Sequence, residues 1–423
     1  MNISVLYLKC NICLFFLSLY AYSSKAQGTE SQNDRPRLFI DCQTYCDTDY
    51  IKREIRYVDY VNDRFQSTVY ILATSQETGS GGRNYKLQVA GQGKFSGMND
   101  TLSYISNPTS TDDEIRKLSV TTIGLALLPY VLKTNLVKNL VFSIKDEEKD
   151  AKGTKDTKKD PWNFWVFSIN IGGYFNGDKN YSSTSFNSGI TAGRTTEKLK
   201  TNFRLNGNQN KNRYGEGADE FKYTNHRFYF TNTTVWSLNN HLSAGGDLEV
   251  GRSDYSNYDL STISSAAVEY DFFPYSESSN HFAGFMYKIG PRYFKYQEET
   301  IYSKMEELHL QESLSFNISY TQKWGSVYGS AFFSHYFYDF SKNNLSFYGN
   351  ADLRLTKGLS FGFYGSYAFQ RDQLNIIKGD VSDQDLLTRR RQLNSDYNFY
   401  VDFSLRFKFG SLFNNVVNSR FDR

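Results

Sequence analysis

The chain has 423 residues and is close to electrical balance, with Lys+Arg 48 against Asp+Glu 45 and a formal net charge of +3. This balance gives no general attraction to nucleic acid, so no nucleic-acid partner is expected. The length exceeds one typical domain of about 100 to 200 residues and predicts two. Tyr 33 and Phe 34 against Pro 6 favour many long strands.

Residues 1–26 are predicted to be an export signal. Lys9 precedes the apolar run "ICLFFLSLYAY", and Ser24 and Ala26 fit a small-x-small cleavage site. A membrane anchor is the weaker alternative, because the run is shorter than the roughly 18 residues of a spanning helix. Cys10 and Cys13 would leave with the signal.

Residues 27–144 are predicted to form a small α+β domain. Its expected strands are "RLFID", "TVYILATSQ", "NYKLQVAGQ" and, closing the sheet, "NLVFSI". Its expected helices are "DTDYIKREI" and a longer one that begins at Thr111 with the capping-box pattern "TDDE". This order predicts a sheet with helices on one face.

Cys42 and Cys46 are the cysteines that remain after signal cleavage, and they are predicted to form a disulfide in an oxidising envelope compartment. Two reduced thiols are the alternative. No metal site is expected here, since all five histidines lie after residue 220. No cofactor is predicted either, because "GSGG" joins two strands and no Gly-Lys-Ser/Thr follows.

Residues 145–161, "KDEEKDAKGTKDTKKDP", are charged and nearly free of apolar side chains, which predicts a solvated linker. Residues 162–410 then alternate apolar and polar side chains in long runs such as "WVFSINIGGYF" and "YNFYVDFSLRFKFG". One apolar and one polar face on strands of about 9 to 11 residues or more is typical of a membrane β-barrel. The runs predict an antiparallel barrel of about twelve strands; a soluble sandwich or propeller is the alternative.

Short and long connections alternate along this region. Tight turns are expected at "GRTTE", "SLNNH", "QKWG" and "TKG", and longer loops at "NGNQNKNRYGEGADE", "RSDYSNY", "YQEETIYSKMEE", "DFSKNN" and "RDQLNIIKGDVSDQDLLTRRRQLN". Outer-membrane barrels place short turns in the periplasm and long loops outside. An even strand number then puts both barrel ends, and the amino-terminal domain, on the periplasmic side.

Three stretches carry a family resemblance: "FIDCQTYCDTDYIKREI", "DPWNFWVFSINIGG" and "FSLRFKFGSLFNNVVNSRF". On these the chain resembles a group of uncharacterised outer-membrane β-barrel proteins of Bacteroidota type with a small periplasmic amino-terminal domain. The resemblance implies an outer-membrane location with lipid around the barrel, and it brings no catalytic motif. The carboxy-terminal tail, residues 411–423, departs from the usual final strand. It must turn back under or into the barrel, or extend the strand.

If the apolar side chains face lipid, the alternate charged ones face the lumen. The third strand supplies basic residues, the fifth and sixth acidic ones, the seventh basic ones, and the tenth and last strands both. These candidate lumen charges are Lys200, Arg204, Asp247, Glu249, Glu269, Asp271, Lys288, Arg292, Asp352, Arg354, Asp402, Arg406 and Lys408. About twelve strands predict a narrow interior, intermediate between filled small barrels and open porins.

The function predicted first is a narrow channel for small polar solutes. The alternative is a closed structural or assembly component of the outer membrane, whose amino-terminal domain binds a periplasmic protein partner. An outer-membrane hydrolase is the second alternative and is disfavoured. Ser334 and His335 are neighbours on a strand and face opposite ways, and no Gly-x-Ser-x-Gly motif occurs.

The facing of the last strand is testable. Phe403 is assigned to lipid and Ser404 to the lumen, so Phe403→Lys is expected to lower the free energy of unfolding by about 2 to 4 kcal/mol, whereas Ser404→Lys is tolerated. Urea unfolding of both variants in lipid vesicles measures the difference. Equal effects would show that the facing is wrong.

Overall fold

The computed structural model describes residues 34–79, 81–141, 160–217, 220–278, 280–380, 382–389, 391–411, 413–418 and 420. The predicted signal peptide and nearly all of the predicted linker lie outside these residues. The described chain forms an α+β domain with a five-stranded sheet, followed by an antiparallel sheet of twelve strands. Both parts of the predicted fold class are therefore confirmed.

The strands of the amino-terminal domain pair in the order β2-β1-β3-β4-β5, with β1 parallel to β2 and β3 and the remaining pairs antiparallel. Two α-helices and three short 3-10 helices accompany them. The strands are β1 (Arg37–Cys42), β2 (Asp59–Tyr60), β3 (Val69–Glu77), β4 (Arg83–Gly91) and β5 (Asn99–Ser106). The helices are α1 (Thr48–Glu54), α2 (Asp112–Val131) and the 3-10 turns Arg64–Gln66, Gly93–Phe95 and Asn135–Asn139.

Both α-helices begin at residues whose side chains accept from exposed backbone amides. The Asp47 carboxylate accepts from the Tyr50 amide at 2.9 Å, and Thr111 and Glu114 form the predicted capping box at the start of α2. The helices cover one face of the sheet. Val69 and Ile71 of β3 pack there in a buried cluster with Ile123 and Leu127 of α2.

Two details differ from the sequence expectation. Strand β5 was not predicted, because only Leu102, Tyr104 and Ser106 of this edge strand are partly or fully covered and its periodicity is weak. The segment "NLVFSI" does not close the sheet in its described part: Asn139 ends a 3-10 helix, and Leu140 and Val141 are exposed. Residues 142–144 lie outside the described residues.

Strand β3 is buried on both faces, from Val69 through Thr74. Antiparallel strands commonly bury one face and expose the other to water, so this continuous burial requires a second covering layer. On the face opposite the helices, Tyr70 and Leu72 point toward Lys323, in a turn of the larger sheet. The amino-terminal sheet therefore lies between its own helices and the end of the larger sheet.

The twelve strands of the larger sheet, here called the barrel sheet, follow one another in simple meander order. They are β6 (Trp165–Gly177), β7 (Tyr181–Thr195), β8 (Leu199–Tyr214), β9 (Phe221–Ser237), β10 (Leu242–Ser253), β11 (Tyr258–Asp271), β12 (His281–Tyr296), β13 (Glu306–Gln322), β14 (Gly325–Tyr336), β15 (Asp339–Thr356), β16 (Leu359–Gln370) and β17 (Tyr397–Phe407).

The barrel sheet inverts the arrangement of a water-soluble protein. In β13, Gln311 and Ser313 are only 9% and 8% exposed, while Leu308 is 66% and Leu314 44% exposed. The sheet curls with its polar face inward, since Tyr229 of β9 and Gln370 of β16 line one cavity although these strands are far apart in the sheet order. The inner surface is called the concave face.

The four predicted tight turns are present, after β7, β9, β13 and β15. This edge of the sheet is called the turn end, and the opposite edge the loop end. The expected loop "DFSKNN" is wrong, because β15 already begins at Asp339. Much of "NGNQNKNRYGEGADE" likewise belongs to β8. Polar strands can continue their backbone pairing beyond an apolar band, so polarity alone did not mark where strands end.

The first and last strands of the barrel sheet are not paired with each other in the described residues. Their outward side chains are strongly exposed, for example Ile171 at 84% and Phe403 at 74%. An open strand edge leaves a row of backbone groups unpaired, which is costly in any apolar medium.

No α-helix in the described residues combines the length and the apolar character needed to cross a membrane.

We expect β6 to pair antiparallel with β17 and to close the barrel. Asn170→Cys lies on the concave face, so oxidation should join it to a cysteine on the same face of β17, at Tyr400, Asp402 or Ser404. Phe403→Cys is the matched control, since it points outward. Non-reducing electrophoresis detects the intramolecular bond, and failure of all three pairs would contradict closure.

Candidate functional site

The candidate site is the concave face with the two ends of the barrel sheet. The register places the candidate lumen charges of the strands on this one face, and Lys408, directly after β17, lines a cavity with Arg354 and Arg406. Arg204 lies opposite Thr231, Thr231 opposite Glu249, Glu249 opposite Ile263 and Ile263 opposite Arg292. Farther along the sheet, Arg354 lies opposite Ser360, which lies opposite Arg406.

Side chains of the acidic fifth strand, β10, and the basic seventh strand, β12, contact each other on the concave face. Lys288 Nζ lies 2.5 Å from Asp247 Oδ2, across the intervening strand β11. Arg292 is 8% exposed and donates to Gln311 Oε1 at 2.9 Å, the Ser264 carbonyl at 3.1 Å and Ser265 Oγ at 3.1 Å. These contacts fix the charged side chains against the wall instead of leaving them in open water.

Other charges are not brought together. Asp402 and Arg406 of β17, and Lys408 directly after it, form no ion pair among the described residues and remain exposed beside the open edge. Asp271 is fully buried, and neither of its carboxylate oxygens has a hydrogen-bond partner in the described chain. The charged face therefore has a braced part, formed by Asp247, Lys288 and Arg292, whereas Asp271 and the charges of the last strand have no such contacts among the described residues.

The loop end is covered by the connection between β16 and β17, residues 371–396, here called the plug loop. It contains the short helix α3 (Asp383–Thr388). Leu374 and Asn375 are 2% and 5% exposed. Leu374 packs with Phe294 and Tyr336 of the concave face, so the loop turns inward.

Hydrogen bonds tie the plug loop to the loops on the far side of the sheet. The Asn257 side chain donates to the Asn375 carbonyl at 3.2 Å, and the Asn375 side chain donates to the Ser256 carbonyl at 3.0 Å. The Ile301 amide donates to the Ile376 carbonyl at 2.8 Å. The plug loop therefore crosses the mouth at the loop end.

The turn end is covered by the amino-terminal domain. The Asp41 carboxylate, 1% exposed, forms a two-pronged ion pair with the Arg354 guanidinium of β15. The Tyr70 hydroxyl donates to the same carboxylate at 2.6 Å. Burial, with the nearby Asp41 charge, raises the pKa of the Tyr70 phenol, so this hydroxyl stays protonated and continues to donate.

Further contacts spread the domain over several turns. Arg64 donates to the Lys323 carbonyl after β13, and Gln76 donates to Ser278 Oγ at 2.8 Å in the connection between β11 and β12. Cys42 and Cys46 are joined by a disulfide directly after Asp41. The disulfide ties the end of β1 to the start of α1, next to the carboxylate that holds Arg354.

The described part of the carboxy-terminal tail lies under the barrel, along the edge of the amino-terminal sheet. Phe413 forms an antiparallel bridge with Val61, and the Asn414 amide donates to the Tyr60 carbonyl at 2.9 Å. The Asn415 side chain accepts from the Tyr60 amide at 2.6 Å and donates to Asp59 at 3.1 Å. Of the courses open to the tail, it takes the one back under the barrel and extends the sheet beyond β2.

The histidines pair mainly with carboxylates. His226, His281, His309 and His335 lie within 2.9 Å of Asp254, Glu277, Glu307 and Glu312, respectively. Ser334 shares a face with Ser313, whereas His335 shares one with Glu312. Within the described residues, no three His, Cys, Asp or Glu side chains form a group suited to a metal ion.

Several residues of the site were missed from the sequence. Asp41 was not singled out, and neither were Tyr336 or Asn375. The apolar residues Leu374, Ile376 and Ile377 within a polar loop were a usable signal, because three apolar side chains so close together favour an inward-facing segment. Nothing local marked Asp41, whose partner lies 313 residues away.

No family model matches the chain, and no curated protein matches it. Among solved structures, it is similar to the NanC porin, with 9% identity and a TM-score of 0.27 over 57% of this chain and 99% of that one. It is also similar to the translocator domain of the autotransporter NalP from Neisseria meningitidis, with 12% identity and a TM-score of 0.20 over 69% of this chain and 98% of that one.

The ion pair of Asp41 with Arg354 is expected to hold the amino-terminal domain on the turn end. Arg354→Ala leaves a buried carboxylate without its partner, which costs about 3 kcal/mol of docking free energy. In a Leu72→Cys background, whose side chain faces the barrel and is 2% exposed, we expect Arg354→Ala to speed maleimide labelling about a hundredfold. The control, Arg406→Ala, lies on the same face without an ion pair and should leave the rate unchanged; an unchanged rate in Arg354→Ala would contradict the role.

Proposed function

We propose that this protein is an outer-membrane β-barrel that is closed in its resting state and serves as a structural or assembly component of the envelope. The observation that carries the proposal is the coverage of both ends of the concave face. The plug loop crosses the loop end, and the amino-terminal domain lies across the turn end.

The membrane location is supported by the exposed apolar band of the barrel sheet. Phe167, Ile169 and Ile171 of β6 and Val401, Phe403 and Leu405 of β17 are all more than half exposed. In water, proteins with such an exposed apolar surface would aggregate, whereas lipid acyl chains can cover it. The buried polar side chains of β13, on the opposite face of the same sheet, fit a protein whose apolar surroundings lie outside.

The orientation follows from the connections. The chain enters the barrel sheet at the start of β6 and leaves it at the end of β17, and both points lie at the turn end, as does the amino-terminal domain. The long plug loop lies at the loop end. Since short turns are periplasmic in outer-membrane barrels, we infer that the domain is in the periplasm. Its helices cover the sheet face opposite the barrel sheet, where a periplasmic protein partner would have access.

A narrow channel for small polar solutes is the second candidate. It is favoured by the charges on the concave face, in particular those of β17 that have no partner among the described residues. A polar interior is unnecessary for a purely structural barrel, although the ion pair of Asp247 with Lys288 shows that some of these charges brace the wall.

Planar-bilayer recordings separate the two candidates. The closed barrel predicts no steady conductance for the full chain, because each end is covered. It predicts conductance when the plug loop is replaced by a two-residue turn and residues 27–159 are deleted in the same variant. Steady conductance of the full chain would overturn the closed state and favour the channel.

The two single changes are the matched controls. Removal of the plug loop alone leaves the amino-terminal domain on the turn end, and deletion of residues 27–159 alone leaves the plug loop in place. Both variants are expected to show no steady conductance. If one of them conducts as well as the double variant, the other covering does not seal the barrel and the proposal fails at that end.

A further inference from the structure

A cavity of about 300 Å³ lies between the concave face and the plug loop. Its wall is supplied by β9 to β14 and β16, and its cover by the plug loop. This volume is at the lower end of the range that small-molecule sites occupy. The cavity therefore has the size of a site for one small solute.

Aromatic rings form part of the wall. Tyr258 stacks on Phe294 with ring centroids 5.1 Å apart, and Tyr229 and Tyr336 complete the aromatic surface. Tyr336 is 5% exposed, whereas Tyr229 and Tyr258 are only partly buried. Their hydroxyls can donate and accept hydrogen bonds, so they are available to a solute in the cavity.

Amide side chains line the rest of the cavity together with a few charges. The amides are Gln311, Gln370, Gln373, Asn375 and Gln392. The charged groups in the lining are the carboxylates of Glu249 and Asp372 and the guanidinium of Arg292. Amides both donate and accept hydrogen bonds, and carboxylates accept them. The set suits a solute rich in hydroxyl groups that carries little net charge.

We propose that this cavity binds a saccharide, as one sugar ring or two. A sugar ring has an apolar C–H face that packs on aromatic rings and a rim of hydroxyls that both donate and accept. The tyrosine hydroxyls and the Glu249 carboxylate supply matching partners. The side-chain oxygens of the cavity glutamines already accept hydrogen bonds within the protein, so these side chains offer their remaining N–H groups; they are Gln311, Gln370, Gln373 and Gln392. The inference goes beyond the closed barrel, because the cavity exists whether or not the barrel conducts.

Titration of the refolded full chain in detergent with glucose, galactose, N-acetylglucosamine and maltose, followed by saturation-transfer NMR, tests the proposal. We expect saturable binding of at least one of them. Tyr336→Phe keeps the packed ring and removes one hydrogen bond, so the Kd is expected to rise about threefold to tenfold. Gln373→Ala, in the plug loop, is expected to raise the Kd for the same sugar.

Tyr364→Phe is the matched control. Tyr364 is also on the concave face, where it packs against Tyr348 and Tyr400 outside the cavity, and its loss of a hydroxyl should leave the Kd unchanged. Far-UV circular dichroism verifies that each variant folds. Absence of binding by every sugar would overturn the proposal, as would equal affinities in wild type, Tyr336→Phe and Gln373→Ala.

Choline is the competing probe, because aromatic rings with two carboxylates can also hold an organic cation. If choline binds, no sugar does and Tyr336→Phe weakens the choline complex, the saccharide assignment is wrong. This result would leave the closed barrel intact, since conductance and sugar binding are measured separately.

Discussion

The rest of the structure depends on one constraint: the barrel sheet exposes its apolar side chains and buries its polar ones. Backbone groups in an apolar medium must all be paired within the protein, so the chain forms long strands in meander order. The polar side chains of the concave face must then find hydrogen-bond or ion-pair partners inside the protein. Lys288 with Asp247, and Arg292 with Gln311 and Ser265, meet this need on the wall itself.

The interior of such a sheet is wider than its own side chains fill, and two further segments cover it. The plug loop brings Leu374 onto Phe294 and Tyr336 and uses the Asn375 side chain to bond the opposite loop. At the other end, the amino-terminal sheet uses its second face, with Tyr70 and Asp41 directed at the turns. The domain is thus a covering layer for the barrel sheet, and the barrel sheet is a covering layer for β3.

The contacts at the turn end reinforce one another through neighbouring strands. Asp41, next to the last residue of β1, holds Arg354, while β2, paired with β1, is extended by the carboxy-terminal tail at Phe413 and Asn415. Release of the domain from the turns would therefore also disturb the tail. A buried ion pair specifies one docked arrangement more than it adds stability, since both charges must give up water.

The sequence by itself determined the order of the parts, an α+β domain followed by about twelve alternating strands, and the facing of the strands. Period-two alternation is a local pattern, so the apolar and the polar face of "YNFYVDFSLRFKFG" can be assigned from this segment alone. Only the tertiary structure decided what covers those faces. The pairing of Asp41 with Arg354, the inward course of the plug loop and the return of the tail to β2 all join residues distant in the chain. No local pattern encodes such partners, because each residue is an ordinary polar or charged side chain until the fold brings its counterpart within reach.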